Sequence, residues 1–139
     1  MTQVPSGKLA VIMHADIVGS TVLGRQNETL AHQRMRDAFD RLAITISSYG
    51  GITHEIRGDA LVAEFSRASD AVCAALAFQQ SNTAHNSSLG DDLLAVLRIG
   101  VAMGEVVIAD NTVTSDGVVL AQRLEQLACR RCVPAKCSL

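Results

Sequence analysis

The sequence predicts an α+β fold of ferredoxin-like character, with strands and helices in the order βαββαββα. Three observations support this class. An apolar run over residues 9–13 is typical of a strand buried on both faces. Helical patterns over 28–48 and 68–81 alternate with it. Each helix is followed by a pair of short strand patterns around a glycine.

The first strand begins with the apolar run and is predicted to end near Asp16 and Gly19, where a polar loop follows. The next segment is predicted to be an amphipathic helix over 28–48, stopped by Gly50 and Gly51. Its apolar positions recur at helical spacing, at Leu30, Met35, Phe39, Leu42 and Ile46. One face of this helix is therefore expected to pack on a sheet.

The strand patterns that follow cover residues 52–57 and 60–65, on either side of Gly58-Asp59. Glycine tolerates the positive φ of a hairpin turn, so this pair predicts a hairpin that presents Asp59 outward. The rest of the domain is predicted from the same kinds of signal. It comprises a helix over 68–81, a polar loop over 83–90, strands over 94–103 and 106–109 around Gly104, a turn over 110–114 and a helix over 117–128.

Composition limits the classes of protein that fit. The chain has 139 residues, 48% of them hydrophobic, which suits one globular domain. Its formal charge is −2 and it has no basic stripe, so a nucleic-acid partner is not expected. Because no apolar run approaches the roughly 20 residues needed to span a bilayer, we expect no membrane segment and a cytoplasmic location.

Two aspartates are the principal candidates for chemistry. Asp16 follows the first apolar strand, and Asp59 lies in the turn between the next two strands. Together they could bind hard divalent cations, which prefer oxygen ligands and often complete their coordination with nucleotide phosphates. Taken singly, Asp16 could be only a helix cap and Asp59 only a turn former.

Several motifs occur in order along the chain. The segment around the first aspartate is Ala15-Asp16-Ile17-Val18-Gly19-Ser20-Thr21, and the second aspartate lies in Gly58-Asp59. Later motifs are Arg98-Ile-Gly-Val-Ala-Met-Gly-Glu105 and Gly117-Val-Val-Leu-Ala-Gln-Arg-Leu-Glu125. In this order they resemble the class III nucleotide cyclase catalytic domain, the adenylate/guanylate cyclase family, with Asp16 and Asp59 at the positions of its two metal aspartates. The resemblance covers a domain over residues 8–128. It implies a ferredoxin-like cyclase domain that is cut short before its last strands.

The resemblance also implies an activity. ATP or GTP would be converted to the 3′,5′-cyclic monophosphate and pyrophosphate, in intracellular signal transduction, with two Mg²⁺ or Mn²⁺ ions per site. It assigns the metals to Asp16, Ile17 and Asp59, and the phosphates to Val18, Gly19, Ser20 and Thr21. The backbone N–H groups over residues 17–21 are expected to serve as donors. Arg123 would stabilise the transition state. The unit would be a homodimer whose subunits share two sites.

Base recognition departs from the family pattern. Glu55 occupies the position where adenylate cyclases usually carry lysine, and Thr112 occupies that of an aspartate. A carboxylate can accept hydrogen bonds from guanine, whereas a hydroxyl donates and accepts and so discriminates weakly. The choice between ATP and GTP therefore stays open. Glu55 could equally form a plain surface pair with a neighbouring cation.

Other departures favour an alternative function. Val119 stands where the family places a ribose-orienting asparagine, and valine cannot form that hydrogen bond. The tail over residues 129–139, with Cys129, Cys132 and Cys137, does not resemble the family and is expected to lie outside the fold. The alternative is thus a catalytically degenerate module that dimerises or binds nucleotide. A diguanylate-cyclase-type domain is disfavoured, because its Gly-Gly-Asp/Glu-Glu-Phe signature is absent from the sequence.

Overall fold

The computed structural model describes residues 7–18, 27–91, 93–109 and 112–114. In this part of the chain five antiparallel strands form a single sheet, in the order β2-β3-β1-β4-β5, with two helices. The elements are β1 Gly7–Ile17, α1 Glu28–Ser48, β2 Ile52–Arg57, β3 Ala60–Phe65, α2 Ala68–Ser87, β4 Leu97–Ala109 and β5 Thr112–Thr114. The predicted α+β class is confirmed.

The central strand β1 sets the register of the sheet. It pairs with β3 on one side and β4 on the other, so that Asp16 lies opposite Ala60 in β3 and Arg98 in β4. The end of β1 is therefore flanked by the start of β3 and the start of β4. This arrangement brings the β2–β3 turn to the same end of the sheet as Asp16.

Helix α1 spans the predicted range, and its ends show why. The Asn27 side chain accepts a hydrogen bond from the Leu30 N–H and caps the helix start. At the other end Gly50 has φ +78, which glycine adopts without strain. A Cβ on Gly51 would lie 2.6 Å from the Phe65 ring and 2.7 Å from the Ile46 side chain. The two glycines thus stop the helix and let the chain pass close to the core.

Both helices pack on one face of the sheet. β1 contributes alternate residues to this core, because successive strand side chains point to opposite faces. α1 adds one stripe at helical spacing, and α2 adds small residues with Phe78. The largest fully buried side chains of this core are Val11, Met13, Phe39, Leu42, Ile46, Leu61, Phe65 and Phe78.

The predicted bounds of α2 and of the strands after it were wrong. α2 does not end at 81 but continues through Ser87. The first part of the predicted polar loop, residues 83–87, is therefore helical, and the hydroxyls of Thr83 and Ser87 donate to the carbonyl one turn earlier. β4 begins at Leu97 instead of 94, and it is one continuous strand instead of two around Gly104, because that glycine pairs with Ala10 inside the ladder.

The region after β4 also differs from expectation. The predicted turn over 110–114 contains a short strand, β5, whose residues pair with the end of β4. The predicted helix over 117–128 and the tail over 129–139 lie outside the described residues. Within the described part, neither helix is long and apolar enough to cross a membrane.

Candidate metal and nucleotide site

Asp16 lies on the face of the sheet that is opposite the helices. Strand alternation places it there, because its neighbours Ala15 and Ile17 point into the helix-side core. The Asp16 carboxylate accepts two hydrogen bonds from Arg98, Nε to Oδ1 at 3.2 Å and Nη2 to Oδ2 at 3.0 Å. The two side chains are 22% and 19% exposed. Asp16 is therefore held in a fixed orientation at a partly solvated position.

Asp59 lies in the β2–β3 turn, next to Gly58 with φ +52, and is exposed. Its carbonyl oxygen accepts a hydrogen bond from the Ile17 N–H at 3.1 Å. This backbone contact ties the turn to the residue that directly follows Asp16. The structure thus brings the three predicted metal positions, Asp16, Ile17 and Asp59, together at one end of the sheet.

The backbone at Val18 is also engaged. Its N–H donates to the Val96 carbonyl at 2.7 Å, just as the Ile17 N–H donates to Asp59. The expectation that these two N–H groups donate to phosphates is not met in this structure, because both already have protein acceptors. Gly19, Ser20 and Thr21, the remaining predicted phosphate positions, lie outside the described residues.

Arg98 is a site residue that the sequence analysis did not single out. Its motif was recognised, but the partner of its side chain depends on the β1–β4 register, which places it opposite Asp16 across 82 positions of sequence. Arginine presents a planar fork of donors that matches a carboxylate or a phosphate. A usable signal was its place within the strand predicted over 94–103, which was expected to join the same sheet.

The two predicted base-recognition positions lie on strands that approach each other. β2 and β5 stand at opposite edges of the strand order, yet their Cα atoms come within 8 Å. Glu55 is partly buried on β2 and contacts Arg57 on the same strand. The pairing with Arg57 fits the surface-pair alternative, whereas the approach of β5, which carries Thr112, fits base recognition.

A second pair of polar side chains lies beside Glu55 on the same face. His54 Nε2 is 2.9 Å from Glu64 Oε1, and Glu64 is buried. His14, two residues before Asp16, is buried as well. Burial lowers the pKa of His14 below 6.5, while the nearby Asp16 charge partly opposes this effect. His14 is therefore mainly neutral at pH 7.

The oxygen groups at this end of the sheet are of the type that a hard cation prefers. Asp16 and Asp59 carry carboxylates on segments that the Ile17–Asp59 backbone hydrogen bond joins, and Mg²⁺ or Mn²⁺ prefer oxygen ligands. Among residues 7–18, 27–91, 93–109 and 112–114, no group of three or more His, Cys, Asp or Glu side chains could hold a metal. Further ligands would have to be backbone, water or substrate oxygens. Arg123 and Val119 lie outside the described residues.

Comparison with known proteins connects this geometry to a family. No protein-family model matches the chain. A protein of Rhizobium meliloti (strain 1021) named "Putative adenylate cyclase 3" is 35% identical over 125 residues, which are 87% of this chain and 21% of that protein. The chain thus spans about a fifth of the length of this relative.

Solved structures share the fold. The adenylate/guanylate cyclase/hydrolase from Silicibacter pomeroyi superposes with a TM-score of 0.78 at 29% identity, over 88% of this chain and 72% of that one. A bacterial light-regulated adenylyl cyclase gives a TM-score of 0.80 at 24% identity, over 88% and 71% of the two chains. In sequence and fold, this chain is therefore similar to the catalytic domains of adenylate/guanylate cyclases.

Proposed function

We propose that this chain is the catalytic domain of a nucleotide cyclase that converts ATP or GTP to the 3′,5′-cyclic monophosphate and pyrophosphate, as part of intracellular signal transduction. The observation that carries the proposal is the convergence of Asp16 and Asp59 at one end of the sheet. The Ile17–Asp59 backbone hydrogen bond joins their two segments. Neither carboxylate is needed by the hydrophobic core, since one is exposed and the other partly exposed.

In this proposal Asp16, Asp59 and the backbone carbonyl of Ile17 would hold two Mg²⁺ or Mn²⁺ ions. When bound, the metals would lower the pKa of the ribose 3′-hydroxyl and neutralise the phosphates. The 3′-hydroxyl releases its proton to solvent, its oxygen bonds to the α-phosphorus, and the bond from that phosphorus to the pyrophosphate oxygen breaks. The chain supplies position and charge to this step.

Arg98 has two successive roles in this scheme. Without a metal, it neutralises Asp16 through two hydrogen bonds. With a cation bound at Asp16, Arg98 would have guanidinium donors available for phosphate oxygens. The residue thus keeps the carboxylate oriented before the substrate arrives.

The rest of the site is proposed from the resemblance. Gly19, Ser20 and Thr21, with Val18 before them, follow the metal strand and would line the triphosphate. Arg123 would come from a second copy, so the active unit would be a homodimer. The approach of β5 to β2 supports a shared role for Glu55 and Thr112 in recognising the base. Their chemistry leaves ATP and GTP both open. The cytoplasmic location stays a prediction.

A second candidate function is a degenerate domain that dimerises or binds nucleotide without turnover. Val119 favours it, because the position that orients the ribose in the family cannot form a hydrogen bond here. Loss of one orienting contact weakens positioning by about one to a few kcal/mol, which slows a reaction without excluding it. The two candidate functions therefore differ in whether nucleotide is converted to product, and both allow nucleotide to bind.

One experiment separates them. The purified chain is incubated with Mn²⁺ and either ATP or GTP, and cyclic nucleotide and pyrophosphate are both quantified. The Asp16→Asn variant serves as the site control, and Asp40→Asn, which changes an exposed carboxylate on α1, serves as the surface control.

Equal amounts of cyclic nucleotide and pyrophosphate from the wild type and the surface control, with none from Asp16→Asn, would support the cyclase. Nucleotide binding without product would favour the degenerate module. Product formation that survives in Asp16→Asn would remove the two-metal scheme.

A further inference from the structure

Three side-chain amides of α2 are directed at the backbone that leads into β4. Asn82 Nδ2 and Asn86 Nδ2 both donate to the Ala95 carbonyl, at 2.9 and 3.0 Å. Gln79 Nε2 donates to the Leu97 carbonyl at 2.7 Å. The acceptors are two positions apart, so they point to the same edge of the strand. The amides therefore hold the outer edge of one short backbone segment.

The position of this segment in the sheet explains why amides are needed there. β5 pairs only with the far end of β4, at residues 107–109. The carbonyls of Ala95 and Leu97 lie outside that pairing, at an edge that a strand would otherwise cover. Two donors on the Ala95 oxygen use both of its lone pairs. Helix α2 thus takes the place of a neighbouring strand for this part of the chain.

Asn82 is the best-fixed of the three amides. It is 3% exposed, and its Oδ1 accepts from Arg41 Nη1 at 3.0 Å. Arg41 is itself held by Asp37 and by the ring of Phe78, 5.9 Å from its guanidinium carbon. Asn86 is less constrained, because its buried Oδ1 makes no hydrogen bond within the described residues. Asn82 therefore links α1, α2 and the β4 lead-in.

The opposite edge of the same segment faces the candidate site. Between the two anchored carbonyls, Val96 directs its own carbonyl to β1 and accepts from the Val18 N–H. The next residue but one, Arg98, holds the Asp16 carboxylate. Any shift of residues 95–97 is therefore transmitted to Val18 and Asp16, and small displacements at a reacting centre are costly for catalysis.

We propose that Asn82, assisted by Gln79, is a positioning residue for the cyclase site. It fixes the peptides at 95–97 so that Val96 holds Val18 and Arg98 meets Asp16 in the required register. The reaction part of this inference rests on the proposed function. The positioning part is a property of the chain and can be measured without turnover.

The test uses the full chain and its Asn82→Asp variant. Aspartate keeps an acceptor for Arg41, so the contact between the helices is retained, but it removes the donor to Ala95 and places a carboxylate oxygen against that carbonyl. We expect the Val18 amide to exchange about tenfold faster in NMR hydrogen-exchange measurements, relative to the Met13 amide in the middle of β1. Gln79→Met is expected to act in the same direction.

Two controls separate positioning from general destabilisation. Ile46→Val weakens the helix-side core away from the segment, and it should accelerate Val18 and Met13 together. Thr83→Ala changes an exposed hydroxyl on the same helix, and it should leave the exchange rate of Val18 relative to Met13 unchanged. In turnover assays, Asn82→Asp should lower kcat by about tenfold with KM nearly unchanged.

A selective acceleration at Val18, with a fall in kcat at nearly constant KM, would support the proposal. Unchanged exchange at Val18, or acceleration equal to that of Met13, would overturn it. If the wild type forms no cyclic nucleotide, the proposed function fails on that result, while the exchange ratio still decides whether Asn82 positions Val18.

Discussion

The two faces of the sheet use the same strands for different purposes. On the helix side, β1 contributes Val11, Met13 and Ala15 to the main hydrophobic core. On the other side lie the alternate residues of the same strand. They change from the apolar Ile12 to His14 and then to Asp16 as the strand approaches the candidate site. One strand therefore packs the helix-side core with one set of residues, and its alternate set carries Asp16, the proposed metal residue.

Three acidic side chains on the site face each lie against a basic side chain. Asp16 is matched with Arg98, Glu64 with His54, and Glu55 with Arg57. A buried charge without a partner is costly, so each pair lowers the cost of placing a functional group on a sheet. We therefore expect stability to depend mainly on the helix face and activity on the site face.

The largest expected effect on stability comes from the helix face. Phe65→Ala removes a ring that is 1% exposed, and it should lower the free energy of unfolding by about 3–5 kcal/mol. Ile52→Ala is the matched control, since Ile52 is 58% exposed and should change stability by less than about 0.5 kcal/mol. Urea denaturation measures both. Equal losses of unfolding free energy in the two variants would contradict the idea that stability depends mainly on the helix face.

The largest expected effect on activity comes from the site face. Asp59→Asn should reduce metal-dependent turnover by about 100-fold or more, because amide oxygens bind Mg²⁺ or Mn²⁺ more weakly than carboxylates. The free energy of unfolding should be nearly unchanged, because the side chain is exposed in a turn. Cyclic-nucleotide assays and denaturation on the same preparation test this separation. A variant with full turnover would contradict the metal role of Asp59.

An intermediate effect is expected at Arg98. Arg98→Gln leaves the Asp16 carboxylate partly buried without its counterion, which should cost about 1–3 kcal/mol of stability. Added Mn²⁺ can replace the missing positive charge. The Mn²⁺-induced rise in Tm should therefore be larger in the variant than in the wild type, by linkage between binding and folding. Equal shifts in the two proteins would argue against a metal at Asp16.

The smallest expected effect is a pH dependence from His14. Burial lowers its pKa in the folded state below the ordinary 6.5, so the unfolded state binds the proton more readily. The wild type should lose stability as the pH falls below about 6.5, and this loss should be smaller in His14→Asn. Thermal unfolding of both proteins between pH 7.5 and 5 measures the difference. Parallel curves would show that His14 does not contribute.

The local elements were predictable where the signals were strong. The periodic apolar residues of α1 and the Gly50-Gly51 stop defined its range, and the Gly58 turn defined the β2–β3 hairpin. The end of α2 was not predictable in the same way. Its last turns are polar like a loop, but Asn82 and Asn86 are fixed by the Ala95 carbonyl, a partner that only the fold brings near.

The candidate site also has features that the sequence predicts and features that it does not. Asp16 and Asp59 could be selected from the sequence, because each follows a recognisable strand or turn pattern beside a family-like motif. The pairing of Arg98 with Asp16 could not be predicted from the sequence, and neither could the backbone carbonyls to which the Ile17 and Val18 N–H groups donate. They depend on strand register and on backbone contacts between distant segments. The predicted roles of Arg123 and Val119 stay predictions.

The sequence by itself determined the alternation of strands and helices, the hairpin and the two candidate metal aspartates, because periodicity and turn chemistry act over a few neighbouring residues. Only the tertiary structure decided which residues meet: Arg98 with Asp16, Ile17 with Asp59, and Asn82 with Ala95. Such contacts join positions far apart in the chain, and their geometry is set by strand register and helix packing, which no local pattern specifies.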